Sequence, residues 1–381
     1  MADVPARYVE VLKAVCDLPT APFCEEEVAG WLMAWASGLG LKHRRDAAGN
    51  LYVEYVKGER SETPGVIEAH MDHPGFLVVR EEAGLVRAEF RGGVKPSYFP
   101  GSLARFWMER ERRWVEAKVL EVKTRESGRA MDVWLKCKEM VAVGTLGMWD
   151  LPDASVDGDI FSARVCDDLA GCGAMVCTME ELLKQQVPGH VILLFSRAEE
   201  VGFAGVIAVC EKGWIPEGSR VIGLEMSKEV GVVRQAKGPV VRVGDRTGLF
   251  SAGLTHFLMQ AAGHVGDADS TLNVQRALMD GGMCSTTALT AWGYDAAAMC
   301  LPLRGYHNMS DTDATIVPES ISLSDFSGMV RILVEAIKRI DKYKPGFGEI
   351  RDRLAKMHAE EQEEMLYGTA GTSHRSNPEK L

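Results

Sequence analysis

Histidines and carboxylates follow several short apolar segments of the sequence, and their types and positions could bind a metal ion. Five separate segments carry them, and the residues are His70 with Asp72, Asp167 with Asp168, Glu199 with Glu200, Glu225, and His307. Apolar runs such as Val66–Ala69 and Val221–Leu224, which precede two of these groups, are typical of buried strands. Ligands of open α/β sheets bind beyond the carboxyl ends of the strands. We therefore expect the five segments to meet at one edge of a sheet.

The chemistry of this set predicts a divalent cation among the side chains. So many carboxylates in one place would repel each other and lose hydration unless a positive charge lay between them. Two imidazoles with several carboxylates suit zinc, cobalt or manganese rather than copper. In the pair His70-x-Asp72, the carboxylate can fix the orientation of a ligating imidazole. Glu199 and Glu200 point in different directions, so one can bind metal while the other acts as a general base.

Each motif also has an ordinary structural explanation when it is taken singly. Asp167-Asp168 alone is typical of a helix cap, and Glu199-Glu200 alone of a solvated loop. His73 is ambiguous, because Pro74-Gly75 after it indicates a turn. The sequence contains no G-x-S-x-G elbow, P-loop or H-E-x-x-H motif that would indicate another chemistry. The joint pattern, with ionisable groups at the ends of successive segments, favours the metal site.

The elements that must position these groups alternate between short strands and amphipathic helices. Apolar runs at Val191–Phe195 and Ala296–Leu301 predict buried strands. Apolar residues recur at helical spacing from Leu169 to Leu183 and from Phe326 to Ile340. This alternation predicts an α/β fold in which helices cover both faces of a sheet.

One stretch breaks the alternation and predicts an inserted domain. Between Val79 and Asp157, apolar residues alternate at Val115–Val119 and Val133–Cys137, with glycine and proline around them. We predict a discontinuous catalytic domain from residues 1–78 and 158–347, and a small all-β domain at 79–157. Residues 348–381 are predicted to form an acidic helix and a disordered tail, with disorder over Thr369–Leu381.

Composition and charge exclude several classes of function. The 54 acidic residues against 43 lysines and arginines give a formal net charge of −11, which disfavours a nucleic-acid partner. No apolar run is long enough to cross a membrane, and the first residues do not have the pattern of a secretory signal. The nine cysteines are scattered without a C-x-x-C pair, which favours free thiols and a cytoplasmic location.

Five stretches around these residues occur in an order that is known from one enzyme family. They are Glu68–Phe76, Ala163–Asp168, Glu199–Gly202, Gly223–Glu225 and Pro302–His307. With them the chain resembles the dinuclear zinc or cobalt aminopeptidases of the tetrahedral-aminopeptidase and glutamyl-aminopeptidase type, over about residues 6–342. The resemblance implies a central mixed sheet flanked by helices, as in zinc exopeptidases, with the small all-β domain inserted.

The resemblance also implies a site, a cofactor and a reaction. The cofactor would be two divalent metal ions per subunit, with zinc the first expectation and cobalt or manganese the alternatives. The implied ligands are Asp167 bridging both ions, His70 and Glu225 at one ion, and Glu200 and His307 at the other. Glu199 would be the general base and acid, Asp72 would buttress His70, and the peptide bond Asp167–Asp168 would be cis. The reaction would remove N-terminal residues from short peptides through a metal-bridging water.

Three positions depart from the family pattern, and none removes a ligand. Glu225 stands where aspartate is usual, Leu169 where arginine is common, and Gly281–Thr286 replaces a Gly-Gly-Thr-Asp pattern. Two alternatives stay open: a metal-dependent deacylase or amidase on the same scaffold, and an assembly subunit whose catalytic site has decayed. The resemblance further implies a homo-oligomer built from dimers, up to a dodecamer, with contacts through the β domain.

Overall fold

The computed structural model describes residues 4–82, 85–124, 130–343, 348–362 and 366. The chain forms two units, residues 1–342 and 343–381. In chain order the strands are β1 (Lys42–Arg45), β2 (Leu51–Lys57), β3 (Gly65–His70), β4 (Gly75–Glu82), β5 (Leu85–Arg91), β6 (Leu103–Met108), β7 (Arg113–Thr124), β8 (Ala130–Cys137), β9 (Leu146–Trp149), β10 (Ser155–Asp157), β11 (Ile160–Ala163), β12 (Gly189–Ser196), β13 (Arg220–Lys228), β14 (Val240–Asp245), β15 (Gln275–Met279), β16 (Asp295–Leu303) and β17 (Glu319–Ser322). The helices are α1 (Ala6–Cys16), α2 (Glu26–Gly38), α3 (Leu169–Lys184), α4 (Ala204–Lys212), α5 (Ala252–Ala268), α6 (Ser285–Ala291), α7 (Leu323–Arg339) and α8 (Gly348–Met357).

An eight-stranded mixed sheet lies at the centre of the first unit, in the order β1-β2-β12-β3-β13-β16-β14-β15. Its four central strands, β12, β3, β13 and β16, run parallel. Every residue of β3 is buried, which explains why the sequence of this strand is mostly apolar, with two ionisable residues. The predicted α/β fold with a central mixed sheet is confirmed, and the parallel strands bring their carboxyl ends to one edge.

Helices pack on the sheet as the spacing of their apolar residues predicts. α4 and α6 cover a cluster of strand side chains that includes Val66, Leu194 and Val221. α3 packs against β3 and β13, and it also contacts α1 and α7. Twelve of the sixteen residues of α3 are buried, so this helix is surrounded by protein and anchors the residues just before it.

A closed six-stranded barrel is inserted between β3 and the three-stranded sheet β10-β11-β17, with the strand order β4-β5-β8-β7-β6-β9. Its core contains Phe76, Phe90, Phe99 and Trp149, and the rings of Phe76 and Phe90 meet edge to face at a centroid distance of 4.8 Å. The alternation at Val115–Val119 is confirmed, since its apolar members are buried in the barrel. The domain limits at 79 and 157 stay predictions; the barrel strands lie between residues 75 and 149.

The second unit contains α8, which is followed by a π-helical turn at His358–Gln362. This helix lies within residues 348–381, where the sequence predicted one, and its apolar residues Leu354 and Met357 are exposed. The disorder predicted for residues 369–381 lies outside the described residues. Over the part of the chain that is described, no helix combines the length and the apolar character needed to span a bilayer.

Candidate metal centre and active site

The parallel strands deliver four of the five predicted segments to the same edge of the sheet. His70 is the last residue of β3, and Glu199-Glu200 follows β12 after a short turn. Glu225 lies in the second half of β13, and His307 follows β16 in a short helical turn at Tyr306–Asn308. Asp167 reaches this place from outside the central sheet, between β11 and α3. The peptide bond between Asp167 and Asp168 is cis, as the resemblance implied.

Asp167 lies between two imidazoles, and one further carboxylate stands beside each of them. His70 Nε2 is 3.5 Å from Asp167 Oδ1 and 3.9 Å from Glu225 Oε1. His307 Nε2 is 3.5 Å from Asp167 Oδ2 and 3.1 Å from Glu200 Oε1. All five side chains are at most 11% exposed. The structure therefore brings together the five residues that were predicted to be metal ligands.

The donor atoms fit divalent metal ions. In two groups of three residues, the candidate ligand atoms, one from each residue, all lie within 4.8 Å of one another. The groups are His70 with Asp167 and Glu200, and His70 with Glu199 and Glu225. Among the described residues, Asp167 Oδ1 and Glu200 Oε1 find no hydrogen-bond partner of good geometry, although each is buried close to a histidine nitrogen. Buried oxygen atoms of this kind are costly unless they pair or coordinate a cation. Glu199 lies near enough to His70 and Glu225 to reach a metal as well as a substrate.

The imidazoles and carboxylates hold each other in their charged forms. Burial alone would lower the pKa of His70, but the nearby carboxylates of Asp167 and Asp72 outweigh it and raise the pKa well above its usual range. The same balance, with Glu200 and Asp167 as partners, raises the pKa of His307. Burial opposes ionisation of Asp167, yet the histidine nitrogens on either side of it lower its pKa far below the usual value. Asp167 is therefore an anionic oxygen donor at any physiological pH.

Two carboxyl groups of the site have pKa values shifted in the other direction. Burial raises the pKa of Glu225 to about 8, and the negative charge of Asp167 adds to this effect. Burial likewise raises the pKa of Glu199 well above its usual range, with further contributions from Glu225 and Glu200. A carboxylate with a raised pKa accepts a proton more readily, which is the property that a general base needs.

Asp72 holds the segment that carries both glutamates. Its Oδ1 accepts a hydrogen bond from the backbone N–H of Glu199 at 2.9 Å, and its Oδ2 accepts one from Glu200 at 3.1 Å. Its Oδ1 is also 3.4 Å from His70 Nδ1, and its backbone oxygen is closer to that nitrogen, at 3.1 Å. Asp72 thus contacts His70 as the resemblance implied, and it also fixes the backbone on which Glu199 and Glu200 stand.

The two residues before Glu199 are held in the same way. The backbone N–H of Arg197 donates to Asn50 Oδ1 at 3.0 Å, and that of Ala198 donates to Glu25 Oε1 at 3.1 Å. Four successive amides, from Arg197 to Glu200, therefore each donate to a buried side chain. Ala198 has a φ of 51°, in the left-handed region that is unfavourable for alanine. We infer that these acceptors hold the turn in a shape that it would not keep alone.

Glu319 is a member of the site that the sequence did not reveal. It is fully buried, and its Oε2 accepts hydrogen bonds from the backbone N–H groups of Cys166 and Asp167, at 2.7 and 2.9 Å. Its Oε1 accepts one from the backbone N–H of His307 at 2.8 Å. A single carboxylate thereby joins two segments that carry proposed ligands. A glutamate at the start of a short strand carries no signal of this role, because the partners are distant in sequence.

The role of His73 is also decided by its contacts. The ring is 99% buried; its Nδ1 lies 2.6 Å from the backbone oxygen of Asp167 and its Nε2 lies 3.0 Å from Asn308 Oδ1. Both ring nitrogens are engaged with these groups, so His73 supports Asp167 rather than adding a donor to the ligand set. Asp168 plays a similar part, since its Oδ2 accepts from the backbone N–H of His70 at 3.2 Å.

Known proteins resemble this chain over most of its length. A family model described as M42 glutamyl aminopeptidase matches residues 49–321. A putative aminopeptidase of Acetivibrio thermocellus is 24% identical over 307 residues, which cover 77% of this chain and 87% of that protein.

Two solved structures of similar fold are TET peptidases. The TET aminopeptidase of Thaumarchaeota archaeon SCGC AB-539-E09 superposes with a TM-score of 0.74 at 18% identity, covering 89% of this chain and 100% of that one. The TET1 peptidase of Pyrococcus horikoshii gives a TM-score of 0.71 at 21% identity, covering 87% and 99%. The matched residues 49–321 include all seven of the predicted site residues and make up most of the chain. The chain belongs to the M42 glutamyl aminopeptidase family, and it is a peptide-bond hydrolase.

Proposed function

We propose that the protein is a metal-dependent aminopeptidase that removes N-terminal residues from short peptides. The observation that carries the proposal is the position of Asp167 between two buried imidazoles, each with its own further carboxylate. Two divalent ions, zinc in the first place, would be held by His70 and Glu225 on one side and by Glu200 and His307 on the other, with Asp167 shared. Bound ions of this kind supply Lewis-acid polarisation of a carbonyl and acidify water.

The chain's own residues would handle the proton. Glu199 is the carboxylate at the site that we assign as general base: it takes a proton from the attacking water and returns it to the leaving amine. Its neighbours support this assignment, because burial and the charges of Glu225 and Glu200 raise its affinity for a proton. Asp72 keeps the main chain of Glu199 fixed through the hydrogen bond at 2.9 Å. The excess of carboxylates also attracts the positively charged amino terminus of a peptide.

The test compares two adjacent substitutions. Glu199→Gln should keep the metal content of the wild type and lose about 10²–10⁴-fold in turnover of aminoacyl anilides, because the base is gone. Glu200→Gln should instead lose metal, measured by inductively coupled plasma mass spectrometry on the dialysed protein. Full turnover in metal-loaded Glu199→Gln would contradict the base assignment. Loss of metal in that variant would show that Glu199 is a ligand.

The choice of substrate is tested with the same enzyme preparation. Aminoacyl anilides with a free amine should be cleaved, whereas the N-acylated forms of the same anilides should not. The reverse preference would establish the deacylase alternative. A protein that binds no metal and cleaves neither set after reconstitution would be the decayed assembly subunit.

We also propose that the chain assembles into a homo-oligomer built from dimers, up to a dodecamer. The support is that the TET1 peptidase of Pyrococcus horikoshii is described as assembling into a tetrahedron or a large octahedral shell. In this chain the barrel exposes apolar side chains, with Leu103 51%, Leu120 49% and Met140 81% exposed. Mass photometry should show a large closed species, and a monomer at micromolar concentration would contradict the proposal.

A cytoplasmic location is proposed from the cysteines. All nine lie within the described residues and are unpaired, and seven are buried. Free buried thiols are typical of proteins in a reducing compartment.

A further inference from the structure

Phe23 combines an unfavourable backbone conformation with an exposed aromatic ring. It is the third residue of the turn at residues 21–24, which the N–H of Cys24 closes by donating to Ala21 O at 2.8 Å. Its φ is 68°, and this position of a turn favours glycine or asparagine because a larger side chain is strained there. Phe23 is also 50% exposed. A bulky residue that is strained and remains in solvent is a candidate for a functional contact.

The main chain of Phe23 is joined to the segment that carries the proposed general base. The N–H of Phe23 donates to Glu25 Oε1 at 2.9 Å, and the same oxygen accepts the N–H of Ala198 at 3.1 Å. Ala198 directly precedes Glu199 in the sequence. Glu25 is fully buried, so its charged oxygen holds the two main chains close together. Phe23 is therefore separated from the segment of Glu199 by two hydrogen bonds.

The ring of Phe23 contacts the barrel, near the part of the chain that reaches His307. The guanidinium of Arg91, the last residue of β5, lies 5.4 Å from the centre of the ring. Arg91 Nη1 donates to Pro22 O at 3.0 Å, which fixes the guanidinium against the turn. Two residues further along the chain, Gly93 O lies 3.0 Å from Nδ1 of His307. Arg91 thus connects the ring of Phe23 to a segment that contacts a proposed ligand.

A third contact fixes the loop of Phe23 against the site. Thr20 Oγ1 donates to Met71 O at 2.6 Å, and Met71 directly follows His70. The loop therefore lies at the edge of the proposed metal centre, where Phe23 is exposed. Glu199 would return its proton to the nitrogen of the leaving amine, so the residue that carries this nitrogen must lie close to Glu199. That residue is the second residue of the peptide.

We propose that Phe23 is a specificity-determining residue that contacts an apolar side chain on the second residue of the peptide, next to the bond that is cleaved. The proposal rests on the aminopeptidase function put forward above. An exposed aromatic ring and an apolar side chain attract each other in water because both surfaces lose contact with the solvent. A glycine in the second position offers no such surface. The enzyme should therefore prefer peptides with a large apolar second residue.

The experiment varies the second residue of dipeptide amides whose first residue is the one that the wild type cleaves fastest as an anilide. We expect the wild-type kcat/KM to favour leucine over glycine by about tenfold, which corresponds to about 55 Å² of apolar surface removed from water. Phe23→Ala should reduce this preference to within about twofold and keep the kcat/KM of the glycine peptide. Leu39→Ala is the matched control, because Leu39 is also exposed, at 42%, and follows the last residue of α2. Its preference should equal that of the wild type.

Phe23→Gly separates the ring from the backbone. Glycine adopts a φ of 68° without strain, so this variant should be at least as stable as Phe23→Ala in urea unfolding and should lose the preference to the same extent. A wild-type preference in Phe23→Gly would overturn the proposal. Loss of the large species in mass photometry with an unchanged preference would also overturn it, since the ring would then be a subunit contact. Both results leave the aminopeptidase function standing, whereas a wild type that cleaves neither dipeptide amides nor anilides would refute that function.

Discussion

Glu319 offers the sharpest test of how the site is built, because it contacts the main chain of two proposed ligands and is not a ligand itself. Its two oxygens accept three backbone N–H bonds, from Cys166, Asp167 and His307. Glu319→Gln preserves the shape of the side chain but turns one oxygen into an N–H₂ donor. At best, the amide oxygen keeps Cys166 and Asp167, and the N–H of His307 then loses its acceptor.

The size of the effect follows from that loss. An unsatisfied buried N–H costs about 1–3 kcal/mol of the free energy of unfolding, and the loss of negative charge weakens the remaining two bonds. Removing a partner that orients a metal ligand typically lowers metal affinity by about 10–100-fold. We therefore expect both quantities to fall in Glu319→Gln, and turnover at saturating metal to fall less than metal affinity.

The assay needs a control that separates loss of stability from loss of site geometry. Asp325→Asn supplies it, because Asp325 is also buried and accepts backbone N–H bonds, from Gly238 at 2.7 Å and Ala236 at 2.8 Å, away from the ligand set. Zinc affinity is measured by competition with a chromophoric chelator, and stability by urea unfolding. Asp325→Asn should lose stability and keep its zinc affinity. Equal zinc affinity in Glu319→Gln and the wild type would show that Glu319 has no part in positioning the ligands.

Two further predictions concern protons and packing. Burial alone would lower the pKa values of His70 and His307, but their carboxylate neighbours raise both. The bound protons must leave before a metal binds, so metal affinity should fall as pH falls. Constant metal affinity in chelator competition from about pH 8 to pH 6 would contradict this prediction. A Cβ on Gly205 would lie 2.5 Å from Arg197 O, so Gly205→Ala should lower the free energy of unfolding in urea by about 1–3 kcal/mol and impair turnover. Gly266→Ala, where the new methyl group would enter open space, should do neither. Equal stability of the two variants would refute the packing argument.

The sequence predicted which ionisable segments meet because each stands next to an element with a clear periodic pattern, and the resemblance supplied their roles as ligands. His70 and Glu225 lie at or near the ends of buried parallel strands, and such strands leave their carboxyl ends at a common edge. Buried apolar runs that alternate with residues at helical spacing predicted the α/β sheet. The stretch in which apolar residues occur at every second position predicted the all-β insertion. The pattern of ionisable groups also placed Asp167 with this set, and the resemblance gave it the role of a shared ligand. In the structure Asp167 comes from outside the central sheet.

The supporting residues could not be predicted in this way. Glu25 stands beside Glu26 and Glu27 at the start of α2, where acidic residues are common, yet its side chain accepts the N–H of Ala198 and pairs with Arg197 at 2.6 Å. Glu319 stands 152 residues from Asp167, and no periodic pattern relates two such positions. These contacts depend on how distant segments pack, and a single sequence carries no local signal for them.

The supporting carboxylates share one geometry, which explains why the ligand atoms are available. Asp72, Asp168 and Glu319 each accept a hydrogen bond from the backbone N–H of a proposed ligand. Fixing a ligand through its main chain positions its side chain without occupying the oxygen atoms that must bind a cation. Asp167 Oδ1 and Glu200 Oε1 accordingly remain buried and accept no hydrogen bond from the part of the chain that the structure describes. Leaving such atoms unpaired is unfavourable, and the surrounding hydrogen bonds to backbone amides offset this cost. The supporting carboxylates therefore contribute as much as the ligands to a site at the edge of the sheet that can hold metal.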